Sequence, residues 1–157
     1  MKTEKHQKKC HYKSPIGWLE IEATNNEISR LVFCEIPGVI CESDHQVLRQ
    51  CCSELDEYFA GKRKNFDVKT SFAGTHFQNK VWRELLKIPY GKTISYAGLA
   101  KAVKNPKAYR AAGSANGKNP IAIIIPCHRV IASNGSLGGY AYGLEVKKQL
   151  LDLERNA

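Results

Sequence analysis

The apolar residues of this chain keep two different periods in two different stretches, and that division limits its fold more than any other feature. Residues 16–23 (Ile-Gly-Trp-Leu-Glu-Ile-Glu-Ala) alternate apolar and polar side chains, Asn25-Asn26 marks a turn, and Ile28 to Phe33 resumes a strand. This is the pattern of a β-hairpin with one buried face. Further on the period lengthens: Val47, Leu48, Cys51, Leu55, Tyr58 and Phe59 recur at helical spacing, with Ser43 or Asp44 as the expected cap and Gly61 as the stop. Cys51 and Cys52 are then the core and the flank of one helix. Residues 61–65 read as a turn, and Phe66 to Ser71 as a short strand leading into a second lobe. The organisation expected is an α/β lobe over residues 1–72 and a mainly α lobe over residues 73–157.

The second lobe opens on Thr75-His76-Phe77-Gln78, a capping box in which Thr75 and Gln78 satisfy each other's backbone donors. Phe77, Val81 and Leu85 supply the buried stripe, and Pro89 with Gly91 ends that helix. Ser95 caps a second helix running from Tyr96 to about Val103. After the turn at Asn105-Pro106 a third helix spans Lys107 to about Lys118, so the pair reads as a helix-turn-helix. The third helix is nearly bare, with Ala108, Ala111, Ala112, Gly113, Ser114, Ala115 and Gly117 around the longer Tyr109, Arg110, Asn116 and Lys118. Such a surface suits close approach to a minor groove with one inserted side chain, and the pattern alone fits a helix packed inside the protein equally well. Ile121 to Ile125 reads as a buried strand stopped by Pro126. Cys127 and His128 follow at once, a thiol beside an imidazole that can take its proton, or an inert core cysteine. Glycines 135, 138, 139 and 143 loosen the next segment. A last helix from Leu144 to about Arg155 places Glu154 on the face of Leu150 and Leu151.

The charge is divided as sharply as the period. The 157 residues carry a net charge of +9, yet residues 1–75 hold 11 basic and 11 acidic side chains while residues 76–157 hold 13 basic and 4 acidic. No Asp or Glu occurs from Leu85 to Leu144. A solvated surface normally mixes both signs, so a polyanion is the natural partner of the second lobe. The basic N-terminus has no apolar segment behind it, and the longest apolar run, Ile121 to Ile125, is too short to cross a bilayer. These features point to a cytoplasmic protein with reduced thiols and exclude a membrane-spanning helix. Six cysteines without a C-x-x-C pair or a clustered Cys/His spacing speak against both a disulfide framework and a metal site.

Ile125-Pro126-Cys127-His128-Arg129-Val130, preceded by Arg110-Ala111-Ala112-Gly113 and Asn119-Pro120 and followed by Gly139-Tyr140 and Leu144 to Glu154, resembles the O6-alkylguanine-DNA alkyltransferases. The likeness extends upstream through Thr75 to Tyr96 and, more loosely, to Ser14-Pro15-Ile16-Gly17 and Tyr58-Phe59-Ala60-Gly61. It implies a ribonuclease H-like α/β N-terminal lobe and a winged-helix-like C-terminal lobe. It also implies a single-turnover reaction in which the alkyl group on guanine O6, or on thymine O4, moves to Cys127. Carried over to this chain, His128 takes the thiol proton through water and Glu154 orients His128. Arg110 enters the duplex in place of the extruded nucleotide, with Ala111, Ser114 and Asn116 on the same DNA-facing helix. Tyr96 crowds the target phosphate and hydrogen-bonds the departing base. Asn119 is the hinge between that helix and the active segment, and Val130, Tyr140, Ala141 and Tyr142 line the pocket. The resemblance implies duplex DNA as partner to a monomer, with no cofactor and no metal.

Many members of that family carry glycine where this chain has Tyr142, an aromatic that either narrows the pocket against bulky adducts or decorates a loop. Two readings from other classes remain at this level. A DNA-binding regulator would bind a specific sequence with Cys127 merely packed, and a cysteine hydrolase would turn over repeatedly.

Overall fold

The computed structural model describes residues 7–41 and 45–156. The chain divides into two compact units, Met1–Phe72 and Ala73–Ala157. The first is built on an antiparallel sheet of β1 (Gln7–Ser14), β2 (Gly17–Thr24) and β3 (Glu27–Cys34) in that order. Asn25 and Asn26 both take positive φ, 51° and 66°, the tight hairpin geometry that asparagine tolerates. Alternation in β2 buries Leu19, Ile21 and Ala23, and a register shift in β3 opposite Glu22 and Ala23 brings Ile28 and Leu31, three residues apart, to the same face. Helix α1 (Gln46–Phe59) covers it with Val47, Leu48, Cys51, Leu55 and Tyr58. The proposed caps of this helix, Ser43 and Asp44, lie outside the described residues. At its other end Gly61, at φ 74°, donates to the Tyr58 carbonyl. The strand expected over residues 66–71 is reduced to a single bridge between Ile28 and Thr70. There the chain is pinned instead by the buried Glu54 carboxylate, which accepts from the Asp67 and Val68 amides.

β1 escaped the alternation argument because Lys8, Lys9, His11 and Lys13 dilute its apolar face. Its presence accounts for a second departure. The segment after β3 returns along the free edge of β1, with His11 N donating to Val39 O at 2.7 Å and Cys41 N to His11 O at 3.0 Å. Cys10 and Cys41, 31 residues apart, are thereby brought to a Cα separation of 4.9 Å and form a disulfide. The expectation that the cysteines stay unpaired is corrected here: strand pairing, which sequence spacing does not register, makes them neighbours.

The second unit is mainly helical: α2 (His76–Leu85), α3 (Tyr96–Ala102), α4 (Tyr109–Gly117) and α5 (Leu144–Asn156), with a two-residue parallel pairing of β4 (Ile94–Ser95) to β5 (Val130–Ile131). The Thr75–Gln78 capping box is present in both directions, and Ser95 caps α3 through the Gly98 amide. The buried stripe of α2 is Val81, Trp82 and Leu85, with Phe77 half-buried. Trp82 donates from Nε1 to the Ala115 carbonyl at 2.9 Å, which fixes α2 against α4.

Residues 121–125 form no strand. They fold into a buried turn in which Ile125 N donates to Ile121 O, and Ile123 takes φ 71°. A β-branched residue rarely adopts that region. Asn119 holds the turn from both ends, accepting from Ile121 N at 2.9 Å and donating to Ile125 O at 2.6 Å. The isoleucine run therefore satisfies burial without a sheet ladder. None of the described helices is long and apolar enough to cross a membrane.

Candidate functional site

The turn delivers the chain through Pro126 into a single turn of 3-10 helix, Cys127–Arg129, whose three side chains are all buried. His128 Nε2 lies 2.7 Å from Glu154 Oε2. Arg129 grips the same carboxylate with two nitrogens, Nε to Oε1 at 2.8 Å and Nη2 to Oε2 at 3.0 Å, and places Nη1 on the Ile88 carbonyl at 2.7 Å. Burial alone would raise the Glu154 pKa, but the bonds from His128 and Arg129 hold it far below the ordinary carboxylate range. An ionised carboxylate only accepts, so Nε2 of His128 carries the ring proton and Nδ1 presents its lone pair. Nδ1 has no hydrogen-bond partner among the described residues. Burial lowers the pKa of His128, with Glu154 opposing, so the imidazole is neutral and able to accept a proton. The Cys127 thiol is pushed up by burial, while the Asn119 and Tyr140 side chains and the Lys147 charge pull it back.

Lys147 is a site residue that sequence reasoning missed. Its ammonium is fully buried and spends all three hydrogens on backbone carbonyls: Val130 at 2.6 Å, Gly139 at 2.9 Å and Leu137. Burial pulls its pKa down to about 8, with the nearby Cys127 acting in the other direction. It closes the glycine-rich loop onto β5. The signal was available: residues 147, 150, 151 and 154 make one helical stripe, and its four members are the buried residues of α5. Arg129, to which sequence reasoning likewise assigns no role, neutralises Glu154.

The expected site residues fall into three places. Cys127, His128, Glu154, Asn119 and Val130 are buried together. Tyr140 and Tyr142 are half-buried on the glycine loop, their rings edge to face with centroids 5.5 Å apart, and Ala141 is exposed. Tyr96, at the start of α3, donates to the Gly139 carbonyl at 3.3 Å. Its ring occupies the space where a Cβ on Gly138 would lie, 2.9 Å away, and Gly138 has φ 71°, so only glycine fits that position. On α4 the residues Arg110, Ala111 and Ser114 face solvent. Asn116 does not: it is buried and donates from Nδ2 to the Cys127 carbonyl at 3.2 Å. The helix face it belongs to is that of Ala112 and Ala115, which a run of small residues conceals.

Residues 76–156 match the family model described as the 6-O-methylguanine DNA methyltransferase DNA binding domain, and residues 8–72 that of the 6-O-methylguanine DNA methyltransferase ribonuclease-like domain. The methylated-DNA--protein-cysteine methyltransferase of Methanosarcina mazei is 47% identical over 150 residues, 92% of this chain and 94% of that protein. The protein of the same name from Mycobacterium bovis is 52% identical over 153 residues, 93% of each. The crystal structure of Mycobacterium tuberculosis OGT in complex with DNA superposes with a TM-score of 0.83 at 39% identity, over 94% of this chain and 92% of that one.

Proposed function

Because the chain belongs to the 6-O-methylguanine DNA methyltransferase family, we propose that it repairs duplex DNA by moving the alkyl group of O6-alkylguanine onto its own Cys127. The observation that carries this reading is the buried Cys127–His128–Glu154 arrangement, a thiol beside a neutral imidazole whose far nitrogen is held by an ionised carboxylate.

The thiol is mostly protonated at rest, so a base is required. His128 Nδ1 takes the Cys127 proton through a bridging water, and the imidazolium formed faces Glu154 at 2.7 Å. The thiolate then attacks the alkyl carbon, the carbon–O6 bond breaks, and its electron pair passes to the guanine, which regains a proton. Tyr96, whose hydroxyl donates to the Gly139 carbonyl in the DNA-free protein, redirects that hydrogen to the departing base and offsets its developing charge. The product on Cys127 is a thioether with no good leaving group, so each molecule acts once and without a cofactor.

A stacked duplex hides O6, which requires the base to be turned out, at a cost of a few kcal/mol that is least for a poorly paired lesion. We read α3 and α4 as a helix-turn-helix in a winged-helix-like unit, and the first unit as ribonuclease H-like. Arg110, exposed on α4 beside the small residues Ala111 and Ser114, is the side chain that fills the gap in the stack. Asn116 and Asn119 act from inside the protein, and Val130, Tyr140, Ala141 and Tyr142 form the base pocket. The basic excess of this half supplies grip on phosphates without regard to sequence, as a monomer in the cytoplasm would need for lesions at any position.

The test is a peptide mass spectrum after mixing the protein with a duplex containing one O6-methylguanine. A methyl group on the Cys127 peptide, missing in Cys127→Ala, supports the reading. Unmodified protein overturns it.

A further inference from the structure

Alkyl transfer uses one cysteine, and it leaves unexplained a group of three sulfurs in the first unit. Cys10 on β1, Cys41 on the segment beside it and Cys52 on α1 place their Sγ atoms within 4.8 Å of one another. A disulfide needs two of them, and Cys10–Cys41 is that disulfide. The third comes from a separate element. On α1 the buried stripe passes through Cys51, and Cys52 stands beside it, half-buried. Cys10 is buried and Cys41 half-buried, so the group has a protein floor and an open side.

We propose that, when reduced, Cys10, Cys41 and Cys52 hold a single soft, thiophilic metal ion of the zinc, cadmium or copper(I) class, and that the disulfide is the metal-free, oxidised form of the same site. Thiolates bound to one ion at about 2.3 Å with near-tetrahedral angles stand about 3.8 Å apart. Reaching that triangle requires the bonded pair to separate and Cys52 to approach by about 1 Å, motions within side-chain rotation. The three ligands among the described residues are all thiolates, which selects for soft ions over magnesium or calcium.

The chemistry balances in two steps. A dithiol reductant of the cell donates two electrons and two protons to the Cys10–Cys41 bond, becoming a disulfide itself. The three thiols then release three protons as the ion binds. Zinc takes a fourth ligand from solvent or a small thiol, and copper(I) is content with three. In either case the ion takes over the work of the disulfide, holding the segment that carries Val39 and Cys41 to the edge of β1 in a compartment where disulfides do not persist.

The test is a titration of dithiothreitol-reduced protein, desalted under argon, with cadmium(II), following the thiolate-to-metal charge-transfer absorbance. One equivalent is expected to bind, at least tenfold more weakly in both Cys52→Ser and Cys10→Ser and unchanged in Cys127→Ser. The reduced protein should melt at higher temperature with the ion, and Cys52→Ser should not. Cys52→Ser is expected to accept a methyl group from DNA as the parent does, which shows that it is folded. Absence of stoichiometric binding, binding undiminished in Cys52→Ser, or Cys52 found disulfide-bonded to Cys10 or Cys41 with no uptake of the ion overturns the proposal.

Discussion

His128 Nε2 and Glu154 Oε2 stand 2.7 Å apart with both side chains buried, and this bond decides which nitrogen of the ring is left to act as a base. Glu154→Gln keeps the shape but can donate as well as accept, so the tautomer is no longer dictated. Alkyl transfer from duplex O6-methylguanine is expected to slow by about 10²–10⁴-fold, the usual range for lost acid–base help. Rapid-quench kinetics checks it; a rate within threefold of the parent, about 0.7 kcal/mol, would remove Glu154 from the mechanism.

The same residues set the acid limit of stability. Glu154 has a folded pKa well below its ordinary 4.5, so its stabilisation is full above that value and is lost as the pH falls through the folded one. His128 has a folded pKa below 6.5, so the unfolded chain takes up its proton first, and stability already declines as the pH drops beneath 6.5. Urea unfolding between about pH 7 and about pH 3 should show a steady loss. In Glu154→Gln the curve starts about 3–5 kcal/mol lower, because Arg129 is left unpaired, and its slope below pH 4.5 is reduced. Parallel curves for the two proteins would contradict this.

Lys147→Met removes the donor to three carbonyls at once. Stability is expected to fall by roughly 2–4 kcal/mol, and alkyl transfer to fall with it as the loop loosens around Tyr140. Lys147→Arg should not restore either, since a planar guanidinium cannot aim at three carbonyls around a point charge. Full rescue by arginine would show that charge alone matters.

Arg110→Ala should leave thermal stability unchanged, because the side chain is exposed and its described contact is with the Tyr109 ring, 5.9 Å from the guanidinium carbon. The reaction with duplex substrate should fall at least about tenfold, while that with free O6-benzylguanine, which needs no unstacking, stays as it was. Equal losses on both substrates would place Arg110 in the pocket rather than in the duplex.

Tyr142→Gly tests the proposed base pocket. Removing the ring that meets Tyr140 edge to face should speed reaction with benzylguanine by about tenfold and leave methylguanine little changed, a selectivity within reach of pocket shape. Parent rates already equal for the two adducts, and unaltered in the variant, would assign the ring to loop packing.

Where local chemistry decides local structure, the sequence was readable. The Thr75–Gln78 box, the Ser95 cap and the Asn25-Asn26 turn need only neighbours, and all are present. The inward position of Glu154 followed from one helical stripe. What escaped depends on partners distant in the chain. β1 acquires its face from β2, and Cys41 meets Cys10 only through strand pairing. The isoleucine run has the composition of a strand, but Asn119, two residues upstream of it, turns it into a loop. Lys147 was overlooked because a lysine is usually assigned to solvent, and the three carbonyls that accept from it lie on β5 and on the glycine-rich loop.

The bond from Asn116 to the Cys127 carbonyl gives the second unit a fixed gauge length. Arg110 and Asn116 share one helix, so the proposed wedge and the acceptor cysteine are joined through a side-chain hydrogen bond rather than through a flexible tether alone. In the proposed reaction, a base turned out by Arg110 would meet Cys127 at a set reach. On the proposed reading, an undamaged guanine that is turned out offers the waiting sulfur no carbon to take.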